Sequence, residues 1–157
     1  MKQIFLLLAG AAVFIIAVGL MSQKLSVSPA RTSKTISVGN TKISVELANS
    51  DALRRKGLSG RSDLKASSGM LFVFNQKGIK PPFWMTDMLI ALDIIWIKNS
   101  EVFQIDKNVQ PPKAGTADKD LTLIVPKDPI DYVLEVNAGF SDKNGIVEGT
   151  PVDLSGI

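Results

Sequence analysis

The sequence predicts a small, mainly β domain, a β-sandwich or open barrel with two short helices, carried behind an N-terminal transmembrane helix. Three observations predict it. Short apolar runs, some alternating with polar residues, recur between turns rich in Gly, Pro, Asn and Ser. Only two brief stretches carry helix-capping signals. Residues Ile4 to Met21 are eighteen consecutive positions that are all apolar or Gly. Of the 157 residues, 45% are hydrophobic and 21% charged, which places the remainder among globular chains with a single core.

The apolar run follows a leader of residues 1–3, and about 1.5 Å of helical rise per residue carries it across roughly 27 Å, close to the hydrocarbon thickness. It has no polar face, so it does not read as a buried core helix. A cleavable signal has a shorter apolar centre and a small-x-small site, for which Ala17-Val18-Gly19 is a weak match. The reading is therefore a single-pass anchor at residues 4–21 in the cytoplasmic membrane, with the domain on the extracytoplasmic side, or secreted if the segment is cleaved. Lys2 lies on one side and Lys24, Arg31 and Lys34 on the other, so orientation rests on the short leader rather than on charge. Residues 22–34, rich in Ser with Pro29, read as a flexible linker to a domain at 35–157.

Thr35 to Val38 and Thr41 to Leu47 read as a hairpin turning at Gly39-Asn40, with Ile43, Val45 and Leu47 on the apolar face. Asn49 or Ser50 caps a helix through Lys56 that Gly57 stops, with Ala52 and Leu53 facing the core and Arg54, Arg55 and Lys56 complementing the helix dipole from solvent. The unbroken run Met70 to Phe74 is a strand covered on both faces or lying across the core. Gln76 to Pro82 must be loop, because its prolines lack the N–H that a ladder needs. Leu92 to Ile97 and Glu101 to Asp106 form a second hairpin, and Lys107 to Asp120 a long loop. Leu121 to Val125 and Tyr132 to Val136 are further strands, Asn137 caps a short helix ending at Gly145, and Val152 to Leu154 closes the domain.

Four of these segments, in order, carry a resemblance: Gly57-Leu58-Ser59-Gly60-Arg61; Gly69-Met70-Leu71-Phe72-Val73-Phe74; Phe83-Trp84-Met85 followed by Leu92-Asp93-Ile94-Ile95; and Tyr132-Val133-Leu134-Glu135-Val136-Asn137-Ala138-Gly139. Together they resemble the uncharacterised domain of unknown function 192 family from about Ile36 to Leu154. The resemblance implies a compact β fold of jelly-roll or barrel type, often behind an export signal, and implies no reaction. The chain departs from the family pattern at Thr86-Asp87-Met88, where Lys-Asn-Thr is usual, and at Ala91, where Pro commonly precedes the Leu-Asp pair.

Two absences bound the chemistry: the chain has no Cys and no His. Thiol nucleophiles, disulfides, imidazole bases and the usual zinc, copper or non-haem iron ligand sets are excluded. No calcium-loop motif is present, and no metal or cofactor is expected. A net charge of +3 with scattered Lys and Arg argues against nucleic acid. Ser59, Ser67 and Ser68 lack a base, apart from an unpositioned Lys56 or Lys65.

The remaining constellation is Phe83, Trp84, Met85, Asp87 and Asp93, in which a Trp beside a Pro-rich loop with nearby carboxylates makes a stacking platform for a small molecule or glycan. The plainer reading is that Phe83 or Trp84 fills the core and Asp93 accepts backbone N–H groups at a strand start. Arg61 either binds an anion bidentately or pairs internally with Glu135. The expected function is noncatalytic: a membrane-tethered binding or accessory domain for a small molecule, glycan or envelope protein. One alternative is an envelope polysaccharide hydrolase using Asp87 and Asp93, which requires the carboxylates at roughly 5–10 Å. The other is an interaction module without a small ligand.

Overall fold

The computed structural model describes residues 33–157; the apolar segment and all but the end of the expected linker lie outside the described residues. The described chain forms seven strands in one sheet of order β5-β4-β6-β3-β2-β1-β7. The strands are β1 Ser33–Val38, β2 Thr41–Ala48, β3 Ser68–Val73, β4 Leu92–Lys98, β5 Glu101–Val109, β6 Tyr132–Asn137 and β7 Val152–Asp153. Two short helices, α1 Asp51–Lys56 and α2 Phe140–Lys143, complete it. The sheet is mainly antiparallel, and the β2–β3 pair is parallel, as its crossover through α1 requires. The segment before β7 reaches the far end of the sheet, where Thr150 O accepts from Val102 N and Val152 N donates to Ser100 O. The result is a half-barrel, one curled sheet rather than the two packed sheets of a sandwich.

Period-two alternation splits the apolar residues between two cores. On one face Leu71, Ile95, Ile97, Leu134 and Val136 pack with the β1–β2 hairpin and with Phe140 from α2. On the other, Met70, Phe72, Ile94, Trp96 and Val133 pack with Leu58, Met85 and Met88 from the connections. The expectation that the Met70 run is covered on both faces holds. The hairpin turns follow their residue types: Gly39 takes φ 57°, and Asn99 and Ser100 take φ 51° and 59°, the primed geometry that matches strand twist.

Five expectations are corrected. β1 starts at Ser33, which pairs with Glu46, so the ordered ladder begins two residues early. Leu121 to Val125 makes only an isolated bridge between Ile124 and Phe83; in that register the next hydrogen-bonded pair would be Pro81 with Pro126, and neither has an N–H to give. β5 runs on to Val109, because a bulge at Asn108, with φ 53°, lets the ladder resume opposite Leu92. Ala52 and Leu53 face solvent, Leu53 being 42% exposed, and Arg54 turns inward instead, donating to Val73 O at 2.6 Å and lying over the Phe74 ring. Asn137 does not cap α2; its amide donates to Leu64 O at 2.9 Å.

The N-cap residue of α2 is Gly139, and the carboxylate that receives the helix's first N–H groups is Asp93 from β4. Its side chain, with no exposure to solvent, accepts from Asn108 N at 2.9 Å, Gly139 N at 3.1 Å and Ser141 N at 2.9 Å. Burial by itself would raise its pKa, but the backbone N–H groups of Asn108, Ser141 and Gly139 outweigh it and hold the carboxyl below the ordinary value. One carboxylate thus fixes the β5 bulge and the start of α2 together.

Candidate functional site

A cleft of about 230 Å³ opens on the second face of the sheet. α1 and the turn after it form one side, and the connection from Pro81 to Met88 forms the other. Each wall has a sequence cause. α1 is set by the Ser50 cap, whose hydroxyl accepts from Leu53 N at 3.3 Å, and ends where Gly57 takes φ 48°. The opposite wall is pinned at Phe83, which exchanges both backbone hydrogen bonds with Ile124 at 2.8 and 2.9 Å. The Phe83 ring then sits edge-on between Phe72, at 4.8 Å between centroids, and Trp96, at 5.4 Å. The walls are tied to each other where Ser59 Oγ donates to Thr86 O at 2.7 Å and Gly60 N to Asp87 O at 2.8 Å.

The floor holds a carboxyl. On β6 the alternation puts Glu135 on the same face as Val133, between the strands that carry Met70 and Ile94, its register partners. It is 6% exposed, lines the cleft, and has Oε2 without a hydrogen-bond partner. Burial drives its pKa up from 4.5 to about 8, so the carboxyl is largely protonated at neutral pH. The strand beside it comes close: a Cβ on Gly69 would stand 2.6 Å from Glu135 O. Gly69 is therefore the residue that lets β3 pack against β6 at this point.

Above the floor the lining is apolar, with Leu58, Phe72, Phe83 and Met88, and at the rim it is charged. Arg54 is held by Asp51 at 2.5 Å as well as by Val73 O. Arg55 and Lys56 are exposed on the same rim and have no ion pair among the described residues. Trp84 is 43% exposed and lines the cleft, as a stacking wall requires.

The residues singled out from sequence divide accordingly. Phe83 and Trp84 line the cleft, Phe83 as a core-anchored wall and Trp84 as an exposed one. Met85 is buried in the second core and does not line it. Asp87 is exposed in a left-handed turn at φ 53°, outside the cleft lining, where its backbone rather than its carboxylate is used. Asp93 is sealed beneath α2, in the role of backbone acceptor that the plainer reading described. Asp87 and Asp93 do not share a cleft. Arg61 does pair internally, but its partner is Glu46, held bidentately at 2.7 Å by both nitrogens, not Glu135. Glu135 itself was the missed residue. The available signal was a single carboxylate on the inward-facing register of an otherwise apolar strand. Among the described residues no group of three or more carboxylates is placed to hold a metal ion.

The chain belongs to the domain of unknown function 192 family, described as an uncharacterized ACR family, whose model matches residues 33–154. The fold is similar to the crystal structure of a protein from Sinorhizobium meliloti 1021 described as a candidate transcription regulator. That match has a TM-score of 0.70 and 25% identity, covering 81% of this chain and 97% of that one. It is also similar to a protein of unknown function from Novosphingobium aromaticivorans DSM 12444, with a TM-score of 0.67 and 30% identity over 82% of this chain and 91% of that one. Comparison with curated proteins gives no match.

Proposed function

We propose that this member of an uncharacterised family is a noncatalytic binding domain, held at the outer face of the cytoplasmic membrane by residues 4–21, that takes a compact small molecule into the cleft between α1 and the Pro81–Met88 connection. The observation that carries the reading is Glu135, a buried carboxyl with one oxygen unpartnered on the floor of an open cleft. A polar atom desolvated without a partner costs roughly 1–3 kcal/mol, a cost that a ligand supplying the missing hydrogen bond relieves. Trp84 adds an exposed ring that has little structural reason to stay there. The cleft volume of about 230 Å³, in a region where liquid water occupies about 30 Å³ per molecule, suits a ligand of on the order of ten non-hydrogen atoms rather than a polymer. The tether rests on the eighteen apolar residues of the N-terminal run. Among the described residues no helix is long and apolar enough to cross a membrane.

The test is Trp fluorescence of the full chain in a non-ionic detergent against a panel of small polar and aromatic compounds. Trp96 is fully buried, so a saturable change reports Trp84. Binding that is lost in Trp84→Ala, read there by ligand-observed NMR because that variant lacks the reporting ring, and weakened in Glu135→Gln supports the cleft. A saturable ligand indifferent to both substitutions places binding elsewhere and removes the proposal.

A further inference from the structure

Granting that the cleft binds a small molecule, its charge layout specifies which kind. Three cations, Arg54, Arg55 and Lys56, stand along one rim, and among the described residues Asp51 is the only carboxylate of the lining besides Glu135. Asp51 is already engaged with Arg54, which leaves Arg55 and Lys56 without an ion pair among the described residues. Between rim and floor every contact surface offered by Leu58, Phe72, Phe83 and Trp84 is apolar or aromatic. The polarity of the cleft therefore runs from cationic mouth, through an aromatic middle, to a single neutral hydrogen-bonding group.

We propose that the cleft is a site for a compact ring-bearing monoanion, with its carboxylate or similar anionic group on Arg55 and Lys56, its ring against Trp84 and Phe83, and a neutral hydroxyl or carbonyl at the far end meeting Glu135. The three requirements come from different parts of the chain, so they are independently removable. A cationic ligand fits poorly: its charge would face Arg55 and Lys56 at the mouth, or would have to ionise a carboxyl that burial keeps protonated. An anion at the mouth has the opposite effect and reinforces the protonated state of Glu135. A long ligand is excluded by the size of the cavity, and a purely apolar one leaves the Glu135 oxygen as unsatisfied as before.

The test uses three matched probes on the full chain in a non-ionic detergent, followed by ligand-observed NMR and by Trp84 fluorescence. These are 4-hydroxyphenylacetate, its amide 4-hydroxyphenylacetamide, and phenylacetate, which lacks the hydroxyl. For ligands of this size, dissociation constants on the order of a millimolar are expected. The anion should bind about five- to tenfold more tightly than the amide, as charge-assisted contacts at a partly exposed rim allow. That preference should vanish in the Arg55→Ala/Lys56→Ala double variant, whose cations lie on an exposed rim and whose melting temperature, measured alongside, should match the parent's. The hydroxylated anion should also outbind phenylacetate by a few-fold, an advantage lost in Glu135→Leu. If the amide binds as well as the anion and the double variant leaves the order unchanged, the monoanion assignment fails while the cleft reading stands. If none of the three gives a saturable response at 20 mM, both fail.

Discussion

Glu135 makes a quantitative demand on stability. In the unfolded chain its carboxyl titrates near 4.5, and in the folded domain near 8. Because the folded pKa is the higher one, the folded state holds the proton more tightly. The favourable difference is fully present below pH 4.5 and is lost as pH rises to about 8, after which it changes no further. Each pH unit in that window costs about 1.4 kcal/mol, so the group alone takes away roughly 5 kcal/mol between the two limits and about 3 kcal/mol by pH 7. Glu135→Gln removes the titration while keeping shape and polarity. The assay is urea unfolding of the full chain and the variant from pH 4 to 9, followed by fluorescence of buried Trp96, with the variant's stability subtracted from the parent's at each pH. Subtraction cancels Asp93 and every other titrating group. The difference should fall steadily with pH across the window and level off near pH 8. A difference constant within about 1 kcal/mol from pH 5 to 9 would mean that Glu135 is solvated or ion-paired, and the argument for an unsatisfied acid in the cleft would collapse.

Asp93→Asn leaves one of three backbone N–H groups facing an amide NH₂ in a sealed site, and should cost about 2–4 kcal/mol in urea unfolding while increasing hydrogen exchange at Asn108 and Ser141. Since the Asp93 pKa is lowered in the fold, its contribution is present above the unfolded value and is lost as pH falls towards acid; the Asn variant should lack this acid-side loss. Gly69→Ala forces a methyl against Glu135 O at 2.6 Å, with Val136 and Leu134 side chains at 3.0 and 3.2 Å, and should lower stability by about 1–3 kcal/mol with a fall in melting temperature. Trp84→Ala, at a 43% exposed position, should change unfolding free energy by less than about 1 kcal/mol while abolishing ligand binding as followed by ligand-observed NMR. Arg61→Lys should fail to replace the bidentate contact with Glu46 and cost about 1 kcal/mol, measured in the same unfolding series.

Most of the β fold was legible because alternation and turn chemistry are local. Ile43, Val45 and Leu47 announce a half-buried strand, and Asn99-Ser100 announces the primed turn that it makes. What could not be read depends on partners distant in sequence. Leu121 to Val125 has a strand's composition, yet its ladder stops where Pro126 faces Pro81, a pairing of residues 45 positions apart that only the fold reveals. Asn137 has a cap's chemistry, but Asp93, from a different strand, reaches α2 first. The aromatic side of the cleft, Phe83 and Trp84, was legible from the Pro-rich loop. The acidic half was sought in Asp87 and Asp93, the carboxylates nearest in sequence, whereas the cleft uses a residue 51 positions beyond Trp84.

The two faces of the sheet also explain why a carboxyl can survive at this depth. On the first face, closed over by the β1–β2 hairpin and Phe140, the buried carboxylate Asp93 is met by three backbone N–H groups, so the strands are held from that side whatever happens on the other. The second face is covered by α1 and by connections rather than by strands, and the connections supply its buried apolar cover, Leu58, Met85, Met88 and Ile130. α1 brings none that is buried: its Leu53 points outward and its Arg54 inward. A Leu at position 135 would complete that face, adding apolar burial and removing an unsatisfied oxygen, and both changes favour folding. Glu135→Leu is therefore expected to raise the unfolding midpoint at pH 7 by an amount exceeding that of Glu135→Gln, while weakening any ligand that the cleft takes. Gain of stability together with loss of binding is the signature of a residue kept for a ligand, whereas loss of both would make Glu135 a structural acid and the cleft a packing defect.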